Sequence, residues 1–455
     1  MAATAEAFSR AISAALGDAD AGIAVFTGLG GLPSAFPVTD FAAGSIAAAG
    51  LALARLVGAG SGTPPTVTVD RRLASLWFGA SIRPVGWGLP APWDPVAGDY
   101  RTRDGWIRLH TNALHHRRAA ERILGPQGDR DGMAAAVAGW DKGALEAAIV
   151  AEGGCAAEMR TAAEWLAHPQ GMAVAAEPLV ALTEAGGDTP SGWRPQPGRP
   201  LAGLRVLDLT RVLAGPVATR FLAGYGAAVL RIDPPDWHEP GLEPDVTLGK
   251  RCARLDLRRA EDRATFEALL GAADLLLHGY RPDALDRLGY GAAARRALAP
   301  GLIDVCLDAY GWSGPWAGRR GFDSLVQMSS GIARAGQDWR GADGPVPLPV
   351  QALDHATGYI LAATAIHLTH DRLKTGRAGS ARLSLARTAK LLLDAGRAEA
   401  GADLAPDIGS DAASGLEPTA WGAARRLRPP LAVDGAAMRW DLPARRLGSD
   451  SAIWP

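Results

Sequence analysis

Leu204-Arg-Val-Leu-Asp-Leu-Thr210 runs through Arg211-Val-Leu213 into Ala214-Gly-Pro216, and this stretch decides the fold class. Its first seven residues, rich in Leu and Val, are a strand candidate. Ala214-Gly-Pro216 then predicts a helix start, with Pro at its first position, where a missing N–H costs nothing. That helix is expected to reach about Ala223 and to stop at Gly224-Tyr-Gly226. Ala228–Asp233 reads as the next strand. A helix at Glu261–Gly271 leads into the strand Asp274–Leu277, and Leu302–Leu307 is another. Strands alternating with short helices predict an α/β fold, with a parallel sheet covered on both faces in the C-terminal half. A smaller α+β part is expected ahead of it.

The chain's 455 residues suffice for two or three domains, each with its own core. A formal net charge of −1 gives no electrostatic footprint for nucleic acid or anionic lipid, so neither is expected as a partner. Cys155, Cys252 and Cys306 are scattered, without a CxxC, which predicts free thiols and a reducing, cytoplasmic setting. Met1 to Leu16 lacks a basic start and an apolar stretch, so no signal peptide is expected. The most apolar run, Ile46–Val57, is short of the ~20 residues of a membrane span. His115-His116 lacks a third ligand at useful spacing, so no metal is expected. Gly28-Leu-Gly-Gly31 follows no strand–helix frame and is too short for a dinucleotide fingerprint.

Outward from the core, Thr183–Pro200, with Gly186-Gly187, Pro190, Pro195 and Pro197, reads as a linker. Ala400–Pro418 is a second low-order stretch, and the basic run Ala423–Arg428 reads as a solvated surface. The expected layout is therefore 1–182, linker 183–200, core 201–399, and a linker and terminal segment over 400–455. There is also an internal repeat. Asp40-Phe-Ala-Ala-Gly44 followed by Ser45–Val57 mirrors Asp354-His-Ala-Thr-Gly358 followed by Tyr359–Asp371, at a constant offset of 314 residues, from 40 to 354. Each copy reads as an Asp, an Ala-rich helix, a Gly-containing turn, a strand and another helix.

A series of short blocks carries a resemblance. They are Leu201–Pro216, Gly249-Lys-Arg251 with Leu255-Asp-Leu257, Tyr280-Arg-Pro282, Leu285-Asp-Arg-Leu-Gly289, Gly311-Trp-Ser-Gly-Pro315, Gly321-Phe-Asp323, Gly331 and Asp354-His-Ala-Thr-Gly358. In this order they resemble the amino-terminal half of family III CoA-transferases. That family includes formyl-CoA:oxalate and carnitine CoA-transferases and related acyl-CoA racemases. Residues 60–180 are similar to the family's other half. Tyr100–Ile107 looks like the hairpin into its small domain, Thr161–Leu166 like a helix within it, and Trp421–Asp450 like its terminal segment. The two family halves thus stand in swapped order. The resemblance implies a Rossmann-like core, acyl-CoA and carboxylic acid substrates, no metal, and a possible homodimer; the swapped order could supply the family's interlocked arrangement within one chain.

Asp354 is the nucleophile that the resemblance implies, attacking an acyl-CoA thioester to give anhydride and thioester intermediates. From the residues alone, an ordinary helix cap is the commoner reading of an Asp before a helix. With Gly358 close behind, backbone N–H groups at the helix start could face a developing oxyanion. Asp40, without a comparable half upstream, reads as a vestigial cap. For coenzyme A, the resemblance implies Val212 and Ala214 along the pantetheine path, and Leu255, Arg258 and Tyr280 around the nucleotide, with Arg287 and Leu288 nearby. Gly279 stands where the family often has Asn. The related racemases carry a proton-transferring histidine in a Gly-His-Asp block. Here it reads Gly321-Phe-Asp323, and phenylalanine exchanges no proton. His355 remains a possible base. A racemase and a non-catalytic CoA-binding protein are the alternatives to transfer.

Overall fold

The computed structural model describes residues 2–20, 22–184, 189–281, 283–399 and 401–455. Gly186 and Gly187 of the first expected linker, Pro282 of the Tyr280 block and Ala400 of the second linker lie outside the described residues. In chain order the first unit holds α1 (Ala2–Ala15), β1 (Val25–Thr27), α2 (Val38–Ser61), β2 (Val67–Asp70) and α3 (Arg71–Gly79). There follow β3 (Ile82–Pro84), the hairpin β4 (Gly98–Arg101) and β5 (Trp106–Leu109), α4 (Leu114–Leu124), β6 (Ala156–Glu158) and β7 (Ala181–Glu184).

The second unit opens with β8 (Arg205–Leu209), α5 (Ala214–Gly224), β9 (Ala228–Asp233), β10 (Lys250–Arg254), α6 (Ala260–Gly271), β11 (Leu275–His278) and α7 (Ala292–Leu298). It continues with β12 (Ile303–Asp308), α8 (Asp323–Ser329), α9 (Ala352–Thr375), β13 (Gly379–Ser384) and α10 (Leu385–Asp394). The chain then adds β14 (Ala412–Thr419), β15 (Gly422–Leu427) and β16 (Leu431–Val433).

The fold is α/β. A seven-stranded sheet runs in the order β10-β9-β8-β11-β12-β13-β7, parallel except for β7. Its inner strands are largely buried on both faces, as parallel sheets require, while the antiparallel edge strand β7 is mostly exposed. Val206, Val229, Leu275, Ile303 and Val305 face the α5 and α9 side, while Leu207, Leu230 and Leu276 face Phe266 and Leu269 of α6. The helix after β8 begins at Ala214, so Pro216 is its third residue rather than its first. The basic run at 423–428 is solvated only in part, since Arg425 and Arg428 are exposed and Arg426 is not. In β15 the side chains alternate, so Arg425 is exposed while Arg426 is buried against Asp245 and Glu417.

The repeat holds in three dimensions. α2 and α9 begin and end at the same 314-residue offset, and each closes on a left-handed glycine, Gly62 and Gly376. β1 pairs with β2 in parallel as β12 does with β13, with Thr27 opposite Asp70 and Asp308 opposite Ser384. Asp70 and Ser384 then cap α3 and α10 through their side chains. Even the helix crossings agree: a Cβ on Gly44 would lie 2.5 Å from the Ala5 carbonyl of α1, and one on Gly358 2.5 Å from the Ala214 carbonyl of α5. These glycines let the backbones touch. Gly358→Ala is therefore expected to cost about 1–3 kcal/mol in a urea titration; a loss below a few tenths would mean that the crossing tolerates a methyl group.

The units differ where sequence is missing from the first. Among the described residues it has no counterpart of β8, β9, β10 or β11. Its connection from β1 to α2 is the short run 28–37, whereas that from β12 to α9 spans 309–351 and carries α8. The Gly28-Leu-Gly-Gly31 run is the turn that leaves β1.

Each unit finishes the other's sheet. β7 trails the first unit and pairs antiparallel with β13 of the second, Ala181 opposite Arg382. β16 trails the second unit and pairs antiparallel with β2 of the first, Ala432 opposite Thr68, giving the order β1-β2-β16. β15 pairs likewise with β3. Between the units α2 packs along α9, and His367 sits with Nδ1 2.9 Å from Asp18 and Nε2 3.0 Å from Asp371. The apolar stretch of α2 is longer than its sequence run suggested. Val38–Ala59 has the length and composition of a membrane span because small residues extend the run at both ends, yet 89% of that window is buried between protein elements.

Candidate active site

Asp354 is not the N-cap of α9. Gln351 holds that place, and Asp354 is the third residue of the helix. The first N–H groups of a helix have no partners within it, but here each is taken. Ala352 N–H donates to the Val350 carbonyl, at 2.7 Å, and His355 N–H to the Gln351 carbonyl, at 3.1 Å. Leu353 and Asp354 N–H both donate to Asp323 Oδ2, at 2.9 and 3.0 Å. Gln327 in turn holds Asp323 Oδ1 at 2.5 Å and accepts from Leu348 N–H at 2.7 Å. The expectation that this helix start faces an oxyanion is therefore corrected: two of its donors are taken by Asp323 and two by backbone carbonyls.

The side chain of Asp354 is treated differently. Among the described residues no donor reaches its carboxyl, and the residue keeps 7% of its surface exposed, so solvent can touch a group that is otherwise enclosed. Burial, and then the neighbouring Asp323, hold this carboxyl well above the usual carboxylate range. Burial also pushes Asp323 up to about 6, against the pull of its hydrogen bonds.

Such groups bind more protons in the folded than in the unfolded chain above their ordinary value of 3.8. Their contribution to stability is present below that value and is lost as pH rises through their raised folded-state values, about 6 for Asp323 and well above the ordinary range for Asp354. Asp354→Asn is thus expected to stabilise the fold at pH 8 by about 0.5–2 kcal/mol, and to do little at pH 4. Urea midpoints at the two pH values decide; an equal effect at both would remove the electrostatic explanation.

The repeat supplies a control. Asp40 is the third residue of α2, as Asp354 is of α9, but Arg71 holds it with Nε at 3.0 Å and Nη2 at 2.6 Å. Arg71 is the first residue of α3. Leu385 is the first residue of α10, so the second unit has no cation there. Asp40 is a buried ion-pair partner, not a cap.

The turn between β8 and α5 comes next to Asp354 because Gly358, one turn further along the same helix face, touches Ala214. Buried Asp208 fixes the turn from both sides: Thr210 and Thr219 hydroxyls donate to it at 2.5 Å, and Lys250 Nζ lies 3.1 Å away. Within the turn Val212 has φ +65°, a left-handed conformation costly for a β-branched residue. Its N–H donates to Glu239 Oε2 at 2.9 Å, and Glu239 is paired with buried Arg231. Tyr280, at the end of neighbouring β11, receives a 2.8 Å hydrogen bond from Arg211. Val212, Ala214 and Tyr280 thus cluster at the carboxyl ends of β8 and β11, where open α/β sheets bind ligands.

Other sequence candidates sit elsewhere. Leu255 is buried in the core with Leu209, Leu230 and Phe266, and Leu288 packs against that same core. Arg258 is exposed and paired with Asp256, and Arg287 is exposed and paired with Asp283. His355 is buried and stacked on Phe78 of α3, 4.9 Å between rings, with its imidazole pushed down to about 3 by burial and then by Arg220. It is not poised as a base. The sequence reading missed Asp323, Arg71 and the histidines that pack on Phe322. His110 stacks on that ring at 3.8 Å, and His116 meets its edge at 5.7 Å. Asp323 was in view within Gly321-Phe-Asp323, but its bonds to α9 span the distance to residues 353 and 354, which no local pattern announces.

Residues 201–405 match the family model of CoA-transferase family III. This segment belongs to that family. The family III segment is similar to an acetyl-coenzyme A transferase of Hypoxylon pulicicidum, 36% identical over 189 residues, covering 39% of this chain and 32% of that protein. It is also similar to a succinyl-CoA–D-citramalate CoA-transferase of Chloroflexus aurantiacus, 31% identical over 200 residues, covering 40% and 48%. A crystal structure of Rv3272 from Mycobacterium tuberculosis matches at 29% identity and TM-score 0.40, covering 44% of this chain and 59% of that one. The chain therefore spans less than half the length of these two curated relatives.

Proposed function

We propose that the chain moves CoA from an acyl-CoA to a carboxylic acid, with Asp354 as the nucleophile. The observation that carries this is the contrast between two aspartates at equivalent places: Asp40 is held by Arg71, while Asp354 is buried, unpaired and touched by solvent. A buried carboxyl without a partner is costly, and such costs collect at functional sites. Membership of residues 201–405 in CoA-transferase family III supplies the chemistry that repays it.

In this reading an ionised Asp354 oxygen attacks the thioester carbonyl of the donor. A C–O bond forms, the C–S bond breaks, and CoA leaves as thiolate. The thiolate attacks the aspartyl carbonyl of the resulting anhydride, releasing the donor acid and leaving an aspartyl thioester. The acceptor carboxylate displaces CoA from it, and CoA then takes the new acyl group and frees Asp354. Enclosure protects the anhydride and thioester from water. Asp323 positions the nucleophile: through the Leu353 and Asp354 N–H groups it fixes the first turn of α9. The start of α5 carries no side-chain cap, so its first N–H groups stay available for a developing oxyanion beside Gly358.

Trapping tests the proposal. Incubation with a panel of acyl-CoAs followed by hydroxylamine should leave a hydroxamate at Asp354, located by mass spectrometry of the digested chain, and none at Asp40. CoA binding with no adduct anywhere would overturn transfer in favour of a non-catalytic CoA-binding protein. Deuterium exchange at the acyl α-carbon without transfer would favour a racemase.

A further inference from the structure

The two connections that lead into α2 and α9 meet, and between them lies a cavity of about 120 Å³. One wall is the end of the short 28–37 run of the first unit, with Ser34 and Phe36. The other is the helix Ile332–Arg340, carried by the long 309–351 connection, together with residues 346–349. Among the described residues this helix has no counterpart in the first unit, so the repeat forms the cavity once. Asp354 is not among its walls.

The floor is apolar and buried, made by Phe36, Ile332 and Leu348. The mouth is exposed, and there Trp339 stands beside Arg340. Arg340 makes no ion pair among the described residues, for the helix's own carboxylate, Asp338, is held by Arg334 at 2.9 Å. Arg397, from the segment after α10, lies over the Phe36 ring at 5.4 Å and donates to the Ala335 carbonyl at 3.0 Å, again without a carboxylate. Ser34 Oγ accepts from Phe36 N–H at 3.3 Å, and among the described residues its hydroxyl hydrogen goes to no acceptor. An apolar chamber with a guanidinium at its mouth and a hydroxyl in its wall fits an amphiphilic anion. An apolar cavity of about 150 Å³ takes one benzene ring, so this one takes an apolar body of about five carbons.

We propose that this cavity binds a short carboxylic acid with an apolar body of that size, its carboxylate on Arg340, and that the bound acid is felt at Asp354. The carboxylate suits a single planar cation, which it meets through two parallel hydrogen bonds. Bonds link the cavity wall to Asp354 at every step. Val346 N–H donates to the Ala333 carbonyl at 3.1 Å, which ties the wall to its helix. Leu348 N–H donates to Gln327 Oε1 at 2.7 Å, and Gln327 Nε2 to Asp323 Oδ1 at 2.5 Å. Asp323 Oδ2 then holds the first turn of α9. An acid packed on Leu348 steadies this chain of bonds at its outer end, and so acts on the position of Asp354 without touching it. The regulatory half of the proposal rests on the transfer reading above; the binding half does not.

Calorimetry and tryptophan emission on the full chain, without acyl-CoA, test the binding. Isovalerate is the probe, acetate is too small to fill the floor, and isoamyl alcohol lacks the charge. Both controls should bind at least about tenfold more weakly than isovalerate. Arg340→Gln, at an exposed position without an ion pair, should weaken isovalerate roughly 10- to 100-fold. Trp339→Phe should remove the emission change while the heat of binding persists. With isovalerate bound, hydrogen exchange at the amides of 348–354 should slow about 3- to 10-fold. In Gln327→Met the acid should still bind, but Leu353 and Asp354 should no longer be slowed; the measurement on the unaltered chain stands by itself if this variant does not fold. No binding of isovalerate, equal binding of isoamyl alcohol, or unchanged affinity in Arg340→Gln overturns the site. Unaltered exchange at Leu353 and Asp354 in the unaltered chain overturns the coupling. The two readings fail separately: a hydroxamate at Asp354 with isovalerate affinity unchanged in Arg340→Gln sinks the acid site alone. Absence of any adduct, with isovalerate affinity lost in Arg340→Gln, sinks transfer and leaves the acid site standing.

Discussion

Replacing Asp354 by Asn is expected to lower CoA transfer by at least about a thousandfold while leaving the CoA complex intact, the scale seen when a covalent nucleophile is removed. The size follows from the chemistry. An amide is too poor a nucleophile to attack a thioester and cannot form the anhydride, so the two-step route closes and only slow direct displacement remains. The shape of Asn is almost that of Asp, and no donor among the described residues depends on the Asp354 carboxyl, so the fold does not suffer. Initial rates at saturating acyl-CoA measure the loss. Substantial residual turnover, with the same Michaelis constant, would place the nucleophile elsewhere. Asp40→Asn serves as the comparison and should leave transfer untouched, since its carboxyl is committed to Arg71.

The second large effect concerns that pair. Arg71→Met is expected to destabilise the chain by about 3–5 kcal/mol, because it strands the Asp40 carboxylate in a buried site without its cation. Burial already pushes the Asp40 carboxyl up while Arg71 pulls it back. Asp40→Leu together with Arg71→Met removes both charges and should recover most of the loss, because a buried ion pair is often no better than well-packed apolar groups of similar volume. Urea unfolding of the two single variants and the double variant forms the cycle that isolates the pair. Additive losses would show that Arg71 acts through packing alone. Arg71→Met should not create a second reactive aspartate, because no α8 counterpart reaches Asp40 across the short 28–37 connection.

The strands and helices from Leu204 onward were legible because a parallel sheet buried on both faces writes itself as separated apolar runs, and turns punctuate them. Boundaries shifted by a residue or so. The start of α5 moved Pro216 from first to third, since Leu213 rather than Gly215 stands at the N-cap. The repeat was legible through Asp, Gly and the following strand, which recur at one spacing. What distinguishes its two copies was not. Arg71 and Leu385 both open a helix after a strand, and nothing in either local pattern says which will meet a carboxylate. Asp323 is another such case: it acts on α9 through bonds that exist only once α8 has folded back. The resemblance singled out Val212, Ala214 and Tyr280, which the fold brings to the carboxyl ends of β8 and β11, but it could not foresee that Arg258 and Arg287 would be taken by their own neighbours.

The exchange of trailing strands between units has a consequence for how the chain is made. The three-stranded sheet needs β16, Leu431–Val433, beside β2, Val67–Asp70, so it cannot close while the chain is still being synthesised beyond the second unit. For most of translation the first unit must wait with one edge of β2 bare, exposed to stray pairing. Such long-range closure also makes folding slow relative to a chain whose strands pair with their neighbours. The strand that completes the first unit's sheet comes after the whole second unit, so a chain truncated before residue 431 should remain protease-sensitive in Ala2–Gly79 even with the whole family III segment present.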